Sequence, residues 1–263
     1  MLNVEAITLT KESAMNSKYN SLLPVITFVV LSGLQIAALA QGPGPGQRIP
    51  LPPIPIKGDT THTLSKHFTP ASAVAKTPDA KGFIQRWLVL EPVKKDIVRN
   101  NIFTDNYLKT TFSADNFSPD YTTVPKNGET VKVGNQELKW YALDSKAFNF
   151  NLYHFTYALN KPKYGILVWL VTVIDCPEEI QNVRMAAGCN SGSMWWLNGQ
   201  EALLLSGDRD MIADNGTSAR LTLKKGKNIV RGAVINGPGM ANFCLRFLDE
   251  KGAPVKNLSI SYE

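Results

Sequence analysis

From residue 83 to the end, apolar positions fall in short runs separated by turn residues. Residues 83–90 (FIQRWLVL) predict a strand, stopped at Glu91-Pro92 because proline cannot donate into a sheet. Thr104 and Asp105 offer an N-cap ahead of Tyr107, Leu108 and Phe112, whose spacing predicts one short helix. Residues 129–133 and 137–143 bracket Gly134-Asn135 and predict a hairpin. Residues 164–174 are a long apolar run rich in β-branched side chains, as expected of a strand covered on both faces. After a strand at 182–187 come two further pairs of runs. Residues 218–223 and 228–235 flank the turn Lys224-Lys225-Gly226-Lys227, and 243–248 and 255–260 flank Asp249-Glu250-Lys251-Gly252.

The strongest local signal is residues 192–205, GSMWWLNGQEALLL. Asn198-Gly199 between two apolar runs predicts a hairpin with a type I′ turn, which needs positive φ at both central residues. Neighbours on a strand point to opposite faces, so Trp195 and Trp196 must enter different surroundings. Trp196 shares its face with Met194 and is expected to be the inward one; the other indole then meets solvent, a second layer or a ligand.

Short strands at regular spacing with almost no helix predict an all-β fold, an antiparallel β-sandwich of jelly-roll type with one short helix. A parallel α/β fold would need helices between its strands. The N-terminal part reads differently. Met15 and Lys18 precede an apolar run over 22–40 that closes on Ala38-Leu39-Ala40, an A-x-A cleavage pattern. Residues 1–40 are therefore expected to be a secretory signal peptide with its start at Met15, an uncleaved anchor being the alternative. No cysteine follows the cleavage pattern, so no lipid anchor is expected. Residues 41–58 are dense in proline and glycine, and 41–81 are expected to be linker and poorly ordered chain, with the sandwich over 82–263.

The 263 residues carry a formal net charge of +6, and residues 1–40 remove two cations and two anions, so the excess stays in the remainder. Lysine and arginine are spread along the chain, which argues against a nucleic-acid groove and leaves an anionic ligand open. Cys176, Cys189 and Cys244 do not have zinc-site spacing; buried, unpaired thiols are preferred over a disulfide with one thiol left over.

No catalytic constellation is visible. Gly188-Cys189-Asn190-Ser191-Gly192 has the wrong spacing for a nucleophile elbow and precedes a strand. His154 alone falls in the expected fold, His62 and His67 lying ahead of it, and no partner for a general base can be named. In the charged stretch Gly207-Asp208-Arg209-Asp210, Asp208, Asp210 and Asp214 offer hard oxygen ligands for a structural calcium. A salt-bridged loop held by Arg209 is the preferred reading of the same residues, since the full calcium-loop pattern is missing. Aromatic rings suit sugars because a pyranose packs its C–H face on them while its hydroxyls need fixed polar partners. Trp195, Trp196, Trp140, Tyr141 and Arg209 are the candidates for such contacts.

Four segments taken in order resemble a known family: Trp87-Leu88-Val89-Leu90-Glu91-Pro92, Trp196-Leu197-Asn198-Gly199, Leu223-Lys224-Lys225-Gly226-Lys227-Asn228 and Phe247-Leu248-Asp249-Glu250-Lys251-Gly252. They resemble the galactose-binding-like jelly-roll domains attached to secreted bacterial carbohydrate-active enzymes, in particular the non-catalytic N-terminal portion of bacterial acetylxylan esterases. The resemblance runs from about Gly82 onwards. It implies a secreted or periplasmic bacterial module that binds polysaccharide or oligosaccharide, beside a carbohydrate-active enzyme whose α/β-hydrolase domain carries the nucleophile. A structural or protein-docking sandwich is the first alternative to this accessory role in xylan degradation, and an acetylxylan esterase of unfamiliar design the second.

Overall fold

The computed structural model describes residues 63–263. They fall within one unit, Gly58–Glu263. The expected signal peptide, the A-x-A pattern and the proline-rich linker lie outside the described residues. Among the described residues no helix is long and apolar enough to cross a membrane.

The chain enters through a single helical turn, α1 (Leu64–His67), and a short strand, β1 (Phe68–Pro70). β2 (Arg86–Leu90) and β3 (Val93–Lys94) lead to α2 (Asp105–Ala114), where the Thr104 side chain accepts from the Tyr107 amide as the sequence predicts. β4 (Thr130–Val133) and β5 (Gln136–Ser145) form a hairpin, and β6 (Phe150–Asn151) runs into α3 (Leu152–Ala158). Then come β7 (Ile166–Cys176), β8 (Ile180–Cys189), β9 (Gly192–Leu197) and β10 (Gln200–Leu205). The last elements are β11 (Gly216–Thr217), β12 (Leu221–Leu223), β13 (Gly226–Asn236), β14 (Asn242–Leu248) and β15 (Ser259–Ser261).

The strands form an antiparallel sandwich. The larger sheet has the order β1-β5-β2-β7-β13-β9-β10, with β4 beside β5 and with β3 and β15 beside β7. The smaller is β11-β8-β14-β6, with β12 beside β8. Asn198 and Gly199 have φ of 51° and 82°, as a type I′ turn requires. The sheet begins earlier than the expected boundary at Gly82. Phe68–Pro70 pairs with Ser145, Asp144 and Leu143, because Phe68 supplies an apolar ring to stack on Phe150 at 4.5 Å.

The central strands of the larger sheet are buried on both faces, and they show it by strict alternation. On β7, Ile166, Val168 and Leu170 join Trp87, Phe243 and Phe247 between the two sheets. Leu167, Trp169 and Val171 point the other way, against Leu108 and Phe112 of α2 and against Phe103 and Phe117. β9 alternates in the same way. Trp195 lies between the sheets, 5.9 Å from Trp87 and 5.5 Å from Phe243, and Trp196 lies on the opposite face, 5.0 Å from Tyr121 and 5.8 Å from Trp169. The expectation that Trp196 is the inward indole is therefore corrected: exposures are 0% for Trp195 and 5% for Trp196, so both are core.

Arg231 organises the second core. It projects from β13 into the α2 side of the sheet and is fully buried. Its guanidinium sits 3.9 Å from the Phe117 ring centroid and 4.4 Å from those of Tyr121 and Trp169. It donates to the carbonyls of Ser118 and Asp120 and to Asn116 Oδ1, so one cation ties down the loop that caps this face. Burial lowers its pKa to about 10, which leaves it charged at neutral pH.

Candidate functional site

The most distinctive surface chemistry lies around α3, a helix that periodicity did not predict. Asn151 caps it, its side chain accepting from the His154 amide at 2.9 Å. Leu152, Phe155 and Thr156 face inwards. Tyr153 and Tyr157 stand four residues apart on the other side, the spacing that brings helical side chains together, and their ring centroids are 6.1 Å apart. Asn160, at a φ of 53°, ends the helix, and the Lys161 amide donates back to the Thr156 carbonyl at 2.9 Å. The chain then turns through Pro162, Lys163 and Tyr164 towards β7.

Gly165 makes that turn possible. Its φ is +58°, its amide donates to the Gly237 carbonyl at 3.1 Å, and its carbonyl accepts from the Lys95 amide at 2.7 Å. A side chain there would drive into the Lys95 carbonyl, so this close approach of two backbones admits glycine alone. The turn holds Tyr164 against α3, 5.8 Å from Tyr153, with 48% of its surface exposed.

Between these rings lies Lys163. Its ammonium is 4.4 Å from the centroid of Tyr157, 5.4 Å from Tyr153 and 5.7 Å from Tyr164. The hydrogen bond with Tyr153, and then the attraction of the phenols, holds its pKa above the ordinary lysine value. The Tyr164 phenol is likewise raised, first by its bond with Tyr153.

Beside it lies a second aromatic–cation group built on Glu91, which is buried at the end of β2. Glu91 accepts from Tyr141 Oη at 3.4 Å and from the Lys139 amide at 3.3 Å, and its carboxylate pairs with Lys161 at 3.1 Å. Burial, then the neighbouring Glu91 charge, raises the Tyr141 phenol pKa. The Lys139 ammonium lies 5.6 Å from the Tyr141 ring. Tyr141 and α3 meet through Phe155, whose ring is 5.8 Å from that of Tyr141.

The candidates read from the sequence are dispersed. Trp140 is buried at 1% exposure against Phe117, 4.8 Å away, so with Trp195 and Trp196 it is a packing residue and forms no platform. Tyr141 alone among the named aromatics is partly open to solvent. Arg209 is half-buried on the loop after β10; its carbonyl accepts from the Ser191 amide and its guanidinium reaches the Asn215 carbonyl at 3.4 Å. The three aspartates part company. Asp208 accepts from Asn100 Nδ2 at 3.0 Å, Asp210 is exposed, and Asp214 is paired with Arg246 rather than with Arg209. No group of three or more His, Cys, Asp and Glu suited to a metal ion occurs among the described residues. Cys176, Cys189 and Cys244 are buried free thiols.

His154 does have a neighbour that spacing concealed: His67 stacks on it, centroids 3.8 Å apart and planes 5° from parallel. Ser191, in the segment weighed as an elbow, is buried and donates to Asn236 Oδ1 at 2.6 Å. An open groove of about 610 Å³ elsewhere is lined by Val124, Pro125, Lys126, Asn127, Tyr262 and Glu263, but Asn127 Oδ1 is already taken by the Ala142 amide.

No protein-family model and no curated protein matches the chain. Solved structures similar to it include the PA14 sugar-binding domain from an RTX adhesin, at 13% identity and a TM-score of 0.40, covering 66% of this chain and 96% of that one. The Epithelial Adhesin 9 A domain from Candida glabrata, in complex with Galb1-4GlcNAc, is 9% identical at a TM-score of 0.33, over 73% of this chain and 92% of that one. Both are adhesin domains, and neither is a portion of an acetylxylan esterase.

Proposed function

We propose that the chain is a secreted, non-catalytic carbohydrate-binding module whose sugar platform is the face made by Tyr153, Tyr157 and Tyr164. The observation that carries this is three phenol rings held together at the surface by α3 and the Gly165 turn, where the tryptophans of the same domain are buried in its cores. A partly exposed phenol offers an apolar face for sugar C–H groups and a hydroxyl that both donates and accepts. The ring positions are fixed by a helix and by backbone contacts, so little order has to be gained on binding. The leader-like pattern ahead of Gln41 supports export, and an accessory role beside a polysaccharide-degrading enzyme, xylan among its substrates, is the setting in which such a module acts.

Affinity electrophoresis of the full chain through gels containing xylans, pectins or galactans tests the reading. Retardation by at least one polysaccharide is expected, weakened in Tyr157→Ala and Tyr164→Ala variants whose thermal melts match the parent. Undiminished retardation of both variants, or none of the parent in any gel, would overturn it.

A further inference from the structure

Resting on that reading of the tyrosine face, we infer that the ligand is an acidic polysaccharide, and that Lys163 receives the carboxylate of a uronic-acid unit whose ring packs on Tyr164. Lys161 and Lys163, on either side of Pro162 in the turn after α3, are used differently. Lys161 is consumed by Glu91, whose carboxylate neutralises it. Lys163 has no carboxylate: among the described residues, none of the ion pairs includes it. Its ammonium is nonetheless held in place by three rings.

A lysine side chain on a protein surface ordinarily loses rotamer freedom when a ligand orders it. Here the phenols have already ordered it, so an arriving anion meets a positioned charge. The rings attract the cation through their faces but leave it a full positive charge, and a phenol hydroxyl cannot neutralise it. A neutral sugar would use the ring and leave the charge unanswered. A uronate answers both, because its carboxylate is carried on the same pyranose whose C–H face stacks. The phenol hydroxyls beside it offer hydrogen-bond donors to the same carboxylate. Lys139, exposed above Tyr141, adds a second positive charge next to the Glu91 group.

The test compares polygalacturonate, glucuronoxylan and alginate, each beside its carboxyl-reduced form, by affinity electrophoresis of the full chain at low ionic strength. At least one acidic form should bind more tightly than its reduced partner. In Lys163→Met, which keeps the length of the side chain between the rings, that preference should fall roughly two- to five-fold, the range an exposed ion pair supplies. The parent's preference should also shrink as salt is raised, because exposed charges are screened over about 8 Å at physiological ionic strength. Equal or tighter binding of the reduced forms would overturn the uronate assignment and leave the sugar platform standing. So would an acidic preference that persists unchanged in Lys163→Met. Failure of every polysaccharide in both forms would overturn the assignment together with the platform.

Discussion

The six-membered ring of Trp195 fills the space that a side chain at Gly232 would occupy on the neighbouring strand. The indole can lie between the sheets only because its cross-strand partner has no Cβ. The indole N–H is satisfied by Ser193 Oγ at 3.0 Å, so the ring is buried without an orphan donor. Gly232→Ala should therefore destabilise the fold by about 1–3 kcal/mol through overpacking. Trp195→Ala should cost about 3–5 kcal/mol. The double variant should fall short of the sum, because the smaller residue at 195 makes room for the methyl at 232. Urea unfolding of the four proteins reads this directly, and strict additivity would contradict it.

Trp196→Ala should be as damaging as Trp195→Ala, about 3–5 kcal/mol, since Trp196 is sandwiched between Tyr121 and Trp169. Thermal melts of the two variants side by side check it. A Trp196 variant that melts like the parent would show that the second face is not a core.

Arg231→Lys should not rescue the loop that Arg231→Ala releases. The guanidinium bridges two carbonyls and a side-chain amide while lying among three rings, and an ammonium is a single point that cannot span them. Each of these hydrogen bonds has a charged donor, a kind worth about 1.5–3 kcal/mol, so losing them frees the loop. Limited proteolysis should then cut within residues 115–124 in both variants and spare the parent.

Stability should fall as pH rises from about 8.5, where thiols of the unfolded chain begin to ionise. Burial pushes Cys176, Cys189 and Cys244 up to about 11, so the folded chain keeps protons that the unfolded chain has lost. Unfolding then releases protons, and the stability is lost progressively between those two values. Urea midpoints at pH 8 and pH 10.5 should show a smaller loss in Cys189→Ala than in the parent. An identical loss would mean that Cys189 titrates normally. In the parent the thiols should also resist a disulfide reagent until urea is added.

Glu91→Gln should loosen Lys161 and Tyr141 together, because one buried carboxylate serves both. The Tyr141 phenol should titrate at lower pH in that variant, since the neighbouring charge that raises it is gone. A spectrophotometric tyrosine titration against the parent, with Tyr141→Phe to assign the signal, measures the change.

Local chemistry determined much of this chain by itself. Asn198-Gly199, the capping Thr104 and the β-branched run that became β7 each specify their own element, because turn geometry, a capping acceptor and two-sided burial are properties of a few adjacent residues. Strand alternation also required that Trp195 and Trp196 enter different surroundings. What both surroundings turned out to be, two separate cores, was decided by α2 and the 116–121 loop folding over the larger sheet, with Arg231 as their anchor 110 and more residues away in sequence. The same holds for the tyrosine face. Tyr153 and Tyr157 carried a helical spacing in plain view, but α3 is only seven residues long and forms because Leu152 and Phe155 bury against the sheets, and a helix that short has little stability of its own. Tyr164, Lys163 and Glu91 join it only through the Gly165 backbone contact and the pairing of β2 with β5. Those are long-range events, and only the tertiary structure decides which charge finds a partner and which is left facing solvent.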